Sequence, residues 1–450
     1  MVGPSRIDML HGPLLRPLFN FAIPVAMIGI LQQLFNTTDI FILGRFVGTA
    51  ALSAVSNDIP IIGILVTLFI GVSLGSNVVI ARYMGGRKYR AASVAIHTTL
   101  VLAALIGIGF TVLGELLVTP VIHYMDVPPE VIDDAELYLR VFLLGMPGMV
   151  MYDFVSAIYR SYGNVRTPLL ALLLAGICNA VADIIVVALG WGLLGVVGTT
   201  VAANYVGPIL LLRLLRYGHG VLHIYPGAFH LNKADVKEIL RIGIPAGLQG
   251  MVFNVANMII QAAINNQGAE AMAASGVSLV MELNTYPFII AFGQAITTFT
   301  GQNNGAGNEK RSHEVAYYGT LLSFGFTAGM TVVALLLARV FLQFFGLDEE
   351  AVELGVTRLY LIVGFYFLCT IYESLSASMR GFGHSLAPAI AMTIGICVTR
   401  VVWIYTICEM YPSFTMIMYC YPVSWLAADI LIGAMYWRMR MRLKRRMAIA

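Results

Sequence analysis

Charge is scarce in this sequence. Asp, Glu, Lys and Arg together make up 11% of the 450 residues, whereas apolar residues make up 59%. A soluble domain carries about 25% charged residues. Too few charges are present to cover a soluble globule of this size, so most of the surface must face lipid. The sequence therefore predicts a membrane protein.

Several chemical motifs are also absent. No glycine-rich loop ends in Lys-Ser or Lys-Thr, so we do not expect this chain to hydrolyse ATP. The eight histidines are scattered and form no paired metalloprotease motif. The five cysteines lie in or beside apolar stretches without zinc or redox spacing, so we expect buried thiols rather than disulfides. We therefore expect neither an enzyme nor a bound cofactor.

Twelve apolar stretches are long enough to cross a bilayer, which takes about 20 helical residues. They lie at 18–45, 49–80, 93–118, 136–159, 167–190, 194–216, 238–265, 272–301, 314–344, 356–379, 387–409 and 413–437. Basic connections alternate with neutral or acidic ones; the connection over 119–135, for example, is acidic. Because basic loops stay in the cytoplasm, both termini are predicted to be cytoplasmic, in a multi-pass protein of the cell membrane.

The second half of the chain repeats the first at a constant offset. In this register Tyr152, Ser156, Ala157, Arg160, Gly163 and Pro168 align with Tyr372, Ser376, Ala377, Arg380, Gly383 and Pro388. Two halves of six spans enter the membrane from the same side, as in transporters built from parallel repeats. We predict an all-α protein with an N-lobe over 1–216, a cytoplasmic linker over 217–235, a C-lobe over 236–437 and a basic cytoplasmic tail over 438–450.

Two carboxylates lie inside the predicted spans of the first half. Asp39 is the only charge between Arg16 and Arg45, and Asp183 is the only one in the fifth span. Asn36 and Asn179 stand one turn earlier. A charge at the bilayer centre costs roughly 2.5–3.5 kcal/mol, which marks it as a functional candidate. Such groups bind a proton or a small hard cation such as Na⁺. The alternative is a pair of packed acids that cap neighbouring helices.

The second half lacks both acids, and Trp403 aligns with Asp183. Its first span carries a polar stripe that we assign, together with Asn36, to a substrate cavity; interhelical hydrogen bonding is the alternative. The stripe consists of Asn254, Asn257 and Gln261. Glu282 either attracts a cationic substrate or pairs with a basic group such as Arg400. Three further charges inside spans are interpreted as structural: Asp58, Asp429 and Arg400. Gly71 and Gly75 have the spacing that lets helices approach closely.

A set of short motifs in fixed order, together with the duplication, covers about residues 14–437. The motifs are Ile23-Pro24, Asp39 with Gly44 and Gly48, Arg160-x-x-Gly163 before Pro168, Asn179 with Asp183, Pro245, Gly268, Ala273-Ala274, Gly301-Gln302, Arg380-Gly381-x-Gly383 and Tyr421-Pro422. The sequence thereby resembles the multidrug and toxic compound extrusion (MATE) family. The resemblance implies a V-shaped pair of six-helix bundles that exports organic cations or amphipathic drugs in antiport with H⁺ or Na⁺.

The resemblance also implies roles for particular residues. Asp39, Asn179 and Asp183 match the first-lobe ion and drug site of the DinF-like branch, and they would be the metal ligands if the coupling ion is Na⁺. The first helix of that branch bends near its proline, here Pro24, when the carboxylate changes occupancy. Ala203 replaces a supporting threonine, which favours H⁺ over Na⁺. Thr199 and Thr200 lie nearby but out of register.

A second branch of the family carries acids in the seventh and tenth spans. Phe253 with Asn254, and then Cys369, stand about where those acids fall, so we expect no such site here.

The alternative function is a lipid-linked precursor flippase of the same superfamily, which often has fourteen spans and a basic cavity. A membrane enzyme or a channel would need clustered polar residues or a charged ring. We expect a monomer in the bilayer that binds small-molecule drugs or organic cations and no nucleic acid.

Overall fold

The computed structural model describes residues 6–124, 131–218 and 220–447. Part of the acidic connection (residues 125–130) and the end of the basic tail (residues 448–450) lie outside this description. The helices are α1 (Leu15–Ile42), α2 (Thr49–Gly85), α3 (Tyr89–Tyr124), α4 (Ile132–Leu143), α5 (Met146–Tyr162), α6 (Arg166–Ala188), α7 (Gly192–Arg216), α8 (Lys233–Asn265), α9 (Ala269–Gly305), α10 (Glu309–Phe344), α11 (Glu349–Ile362), α12 (Tyr366–Gly381), α13 (Leu386–Met392), α14 (Thr399–Met410) and α15 (Phe414–Met447).

Short irregular turns continue several of these helices. A π-helical turn at Leu43–Val47 follows α1, a 3₁₀ turn at Val363–Phe365 joins α11 to α12, and a π-helical stretch at Thr393–Val398 joins α13 to α14. Within the described residues, eleven helical stretches are long and apolar enough to cross a membrane, and the pair α4–α5 adds a twelfth when it counts as one span. The prediction of an all-α polytopic membrane protein with twelve spans is confirmed.

The predicted fourth span, 136–159, is a helix pair bent by 42°. Pro147 stands at the start of α5 and has no N–H for the carbonyl of Leu143 one turn earlier. The hydroxyl of Thr111 donates to that carbonyl at 2.8 Å. A side chain of α3 thus satisfies the acceptor that the break leaves open, which lets the span bend inside the membrane.

The internal repeat extends to individual contacts. Asn77 Nδ2 donates to the carbonyl of Ala157 at 3.2 Å, and Thr297 Oγ1 donates to the carbonyl of Ala377 at 3.1 Å, so both partners recur at the offset of the repeat. The contact between Thr111 and Leu143 likewise recurs between Thr331 and Val363 at 3.1 Å. The two halves therefore share a scaffold of hydrogen bonds as well as a sequence pattern.

The chain forms two compact units, one mainly of residues 27–247 and the other of residues 9–26 with 248 onward. These units do not coincide with the two halves on either side of the linker. The first part of α1 belongs to the unit of the second half, and the first part of α8 belongs to the unit of the first half. Each helix changes unit just after a proline, Pro24 in α1 and Pro245 in α8. A proline removes one backbone hydrogen bond, so each helix is weakened where it passes between units.

Close packing fixes the first part of α8 against α2. A Cβ atom added at Gly71 would lie 2.2 Å from the backbone nitrogen of Gly247, and one at Gly75 would lie 2.2 Å from the carbonyl oxygen of Ile239. The two backbones touch at these glycines, as their spacing predicts. The helix ends are joined by an ion pair of 3.2 Å between Arg82 and Glu238.

One cysteine departs from the expectation of buried thiols. Cys178 is exposed on α6, whereas Cys369, Cys397 and Cys420 are buried. The residue lies on an apolar helix face among other exposed apolar side chains such as Ile177 and Val181. An apolar surrounding in the sequence does not distinguish a lipid-facing position from the protein core, which explains the error.

We expect the Gly71→Ala variant to be destabilised by about 1–3 kcal/mol, because the new methyl group meets backbone that cannot rotate away. Its apparent melting temperature in detergent should fall by several degrees. Gly109→Ala is the matched control, since its Cβ would meet nothing within 4 Å. Equal melting temperatures for the two variants would contradict the close contact between α2 and α8.

Candidate ion-coupling and substrate site

Three helices of the first unit bring the predicted acids together. Asp39 lies on α1, Asn179 and Asp183 lie one turn apart on α6, and α7 packs beside them. Asp183 is completely buried, with 0% of its surface exposed. The sequence predicted this group of three residues, and the structure places them in one cluster.

Asp183 has donors for both carboxylate oxygens. Asn179 Nδ2 donates to Oδ2 at 3.1 Å, and the hydroxyl of Thr199 donates to Oδ1. Thr200 Oγ1 donates to Oδ2 of Asp39 at 2.9 Å. Because these two threonines are consecutive, the carboxyl groups of Asp39 and Asp183 lie near each other and interact electrostatically. Two bare carboxylates at such a distance repel each other, so the pair needs a proton or a cation.

One acceptor of the cluster is open. Asp39 Oδ1 is buried and has no hydrogen-bond donor among the described residues. A buried acceptor without a partner is costly unless something fills its place. The free oxygen therefore marks where a proton or a cation would bind.

Consecutive threonines on α7 supply the hydroxyl groups of this site. The hydroxyl oxygens of Thr199 and Thr200 also lie 2.7 Å and 3.0 Å from the carbonyl oxygen of Val196, so each hydroxyl hydrogen is shared between that carbonyl and a carboxylate. In the family resemblance the supporting threonine falls at the position of Ala203, and neither Thr199 nor Thr200 aligns with it. The structure uses the pair at adjacent positions, one hydroxyl for each carboxylate. The signal in the sequence was the Thr-Thr pair itself, inside an otherwise apolar span.

An apolar cavity of about 520 Å³ lies beside the acids. Its lining is formed by Val186, Trp191, Leu194, Gly195, Gly198, Thr199 and Ala202. All except Val186 lie on or next to α7, and Thr199 is the polar member that also binds Asp183. The cavity is thus a hydrophobic space with one wall next to a carboxylate, which suits an amphipathic molecule with a polar or cationic end.

The remaining predicted cavity residues do not join this cluster. Asn36 is exposed on α1 and is absent from the hydrogen bonds to the two acids described above. In the second unit, Asn257 Oδ1 accepts from Arg400 at 2.9 Å, and Gln261 Nε2 donates to Asn265 at 2.9 Å. Asn254 is half-buried on the same helix. The polar stripe of α8 therefore forms contacts within the second unit.

Glu282 forms an ion pair, which was one of its two predicted roles, but the partner is Arg358 and not the suggested Arg400. Its carboxylate receives two hydrogen bonds from Arg358, at 2.7 Å and 3.1 Å, and both side chains are buried. The suggested pairing with Arg400 is therefore not formed. Arg358 aligns with Tyr138 of the first half, so the repeat gave no indication of a charge there. A buried residue with a satisfied ion pair is poorly placed to attract a cationic substrate.

No group of three or more His, Cys, Asp or Glu side chains that could hold a metal ion occurs in the part of the chain that is described. A coupling Na⁺ would therefore depend on the carboxyl pair with hydroxyl and amide oxygens. Such oxygen ligands suit hard cations.

Replacing Thr199 or Thr200 by valine should slow the transport expected from the sequence several-fold, because each change removes the donor that holds one carboxylate. Thr320→Val is a suitable control, since that hydroxyl bonds to a carbonyl of its own helix. Efflux from vesicles that contain equal amounts of each variant provides the measurement. Wild-type rates in both site variants would show that the hydroxyl groups play no part.

Known proteins resemble this chain along its whole length. The MatE family model matches it twice, at residues 24–185 and 245–406. A probable multidrug resistance protein NorM of Thermotoga maritima is 27% identical over 392 residues, 86% of this chain and 84% of that protein. An FAD transporter of Shewanella oneidensis is 25% identical over 356 residues, 78% of each chain.

A solved structure has the same fold. The outward-facing conformation of a multidrug resistance MATE family transporter matches with a TM-score of 0.89 at 22% identity, and the match covers 98% of this chain and 99% of that one. The two matches of the family model also follow the repeat found in the sequence, since they begin at Pro24 and Pro245, one in each half. The chain belongs to the MatE family, the multidrug and toxic compound extrusion family that its motifs resemble.

Proposed function

We propose that this protein is a secondary active multidrug efflux transporter that exchanges organic cations or amphipathic drugs for H⁺ or Na⁺. The observation that carries the proposal is the pair of carboxyl groups within the predicted spans, Asp39 and Asp183, each bonded by one of two adjacent hydroxyl groups of α7. The names of the relatives support a role in multidrug resistance. The coupling residues are Asp39, Asn179 and Asp183.

Competition for the acid pair would link the two substrates. A proton between the carboxyl groups removes their repulsion, and its loss leaves a net negative site beside the apolar cavity. A cationic drug with an apolar body fits that state, since its charge meets the acids and its body fills the cavity. The site then holds either the ion or the drug, which is the requirement for antiport.

Helix α1 would transmit the change. It carries Asp39 in the first unit, while its first part, up to residue 26, belongs to the second unit. A shift of Asp39 therefore acts on a helix that both units share, and Pro24 supplies a weakened point in that helix. This arrangement makes Pro24 the hinge in the proposed mechanism.

The donors around the acids favour H⁺ as the coupling ion. Thr199, Thr200 and Asn179 each donate a hydrogen bond to a carboxylate, and within the described structure the buried oxygen left open is Asp39 Oδ1. One open acceptor fits one proton, whereas Na⁺ needs several oxygens turned toward it. The transporter would act as a monomer in the cell membrane with both termini in the cytoplasm. Its power source would be the ion gradient, since moving one charge across 100 mV yields about 2.3 kcal/mol.

The Asp39→Asn variant should lose the drug resistance that the wild type confers on a pump-deficient host, because the amide cannot bind and release the coupling ion. Asp183→Asn should also weaken coupling, with efflux at least about tenfold slower. Asp133→Asn, at an exposed position on α4, is the matched control. Full resistance from Asp39→Asn at equal expression would remove these acids from the mechanism.

Imposed gradients distinguish the two ions. In proteoliposomes that contain the purified protein, efflux of a fluorescent cation should respond to a pH gradient at constant Na⁺. A Na⁺ gradient at constant pH should have little effect. Transport driven only by Na⁺ would reverse the choice of ion, and transport driven by neither would contradict ion-coupled antiport.

A further inference from the structure

The second unit contains a buried arginine whose described hydrogen-bond partners are both neutral. Arg400 on α14 is 2% exposed. Its Nη1 donates to Oδ1 of Asn257 at 2.9 Å, and its Nε donates to the hydroxyl of Ser424 at 3.1 Å. A buried charge with neutral partners is costly inside a membrane and therefore a candidate for function.

The other buried arginines of this unit are paired. Arg358 bonds to Glu282, and Arg380 bonds to Glu373. Among the three buried arginines in the described part of the unit, Arg400 is the one that no described carboxylate neutralises. The membrane part of the unit thus has a positive charge available for an external partner.

Aromatic rings border this charge. The guanidinium carbon of Arg400 lies 4.5 Å from the ring centre of Tyr421 and 5.3 Å from that of Phe253. The further N–H groups of the guanidinium have no acceptor among the described residues. A planar guanidinium with N–H groups beyond the bonds to Asn257 and Ser424, beside aromatic rings, matches a carboxylate attached to an aromatic body.

Asn257 shows how a ligand would reach the arginine. It is exposed on α8, and its amide oxygen occupies the position where an oxygen of an anion would bind. Because this oxygen is neutral, a charged one would form a stronger hydrogen bond and replace it. A single arginine balances one negative charge, which favours a carboxylate over a doubly charged phosphate.

We propose that Arg400, with Tyr421 and Phe253, forms a binding site for the carboxylate of aromatic zwitterionic or anionic substrates. The inference rests on the proposed export function and assigns a binding residue to the carboxylate of its amphipathic substrates. The first unit would bind a positive group at Asp39 and Asp183, and the second unit a negative one at Arg400. Each unit would then recognise a group of opposite charge.

The test compares two substrates that differ in one group, a xanthene dye with a free carboxylate and its methyl ester. We expect wild-type protein in proteoliposomes to export both dyes. Arg400→Gln should reduce transport of the carboxylate dye about tenfold and leave the ester within about twofold of wild type. Arg400→Lys should be intermediate, since it keeps the charge and loses the fork. Thr406→Val, at an exposed position of α14 where the hydroxyl bonds to its own helix, is the control and should export both dyes normally.

Other outcomes would overturn the inference. Equal loss of both dyes in Arg400→Gln would make Arg400 a structural residue. Asp429 on α15 is the carboxyl group to exclude as an internal partner, because neither of its buried oxygens has a hydrogen-bond partner in the described structure. The double variant Arg400→Gln with Asp429→Asn tests this pairing. If it transports the carboxylate dye normally, Arg400 serves to neutralise Asp429 and does not bind substrate.

The same assay separates this inference from the proposed function. Wild-type export of the ester, abolished by Asp39→Asn, would support the transporter mechanism whatever happens at Arg400. If the wild type exports the ester but not the carboxylate dye, the inference alone fails. If it exports neither dye under any gradient, the proposed function fails.

Discussion

Two carboxyl groups that meet inside a lipid-embedded helix bundle cannot both stay ionised without a proton or a cation between them. Asp39 and Asp183 interact electrostatically, and hydroxyl and amide donors from α6 and α7 bond to three of their four oxygens. The open oxygen of Asp39 makes ion occupancy part of the local chemistry. An apolar cavity lies next to Thr199, whose hydroxyl bonds to Asp183.

Helices α1 and α8 each contribute residues to both units, so the acid site on α1 is covalently continuous with a part of the second unit. Helix α1 carries Asp39 in one unit and packs its first part in the other, where the ring of Phe21 meets that of Phe299 edge-on at 5.7 Å. Helix α8 has the reciprocal arrangement, with its first part held against α2 through glycine contacts. Both helices contain a proline near the transition. Each of these two helices therefore consists of two segments, one in each unit, that meet near a proline.

The two halves keep the same scaffold and differ in their charges. The hydrogen bond from Asn77 to Ala157 has its counterpart in the bond from Thr297 to Ala377. By contrast, Trp403 stands in place of Asp183, and Arg358 stands in place of Tyr138. Scaffold contacts depend on backbone carbonyls that every residue supplies, whereas charged side chains depend on the residue at one position. The duplicated fold could therefore acquire an acidic site in one unit and a basic one in the other.

The sequence alone determined the helical class, the twelve spans, the repeat and the two candidate coupling acids, because hydrophobic runs, equal spacing and isolated charges are local properties of the chain. The tertiary structure decided the partners. It paired Glu282 with Arg358, brought Thr199 and Thr200 to the carboxylates, and divided α1 and α8 between the units. These contacts join residues on different helices, and the direction in which each helix faces depends on packing that no local pattern records.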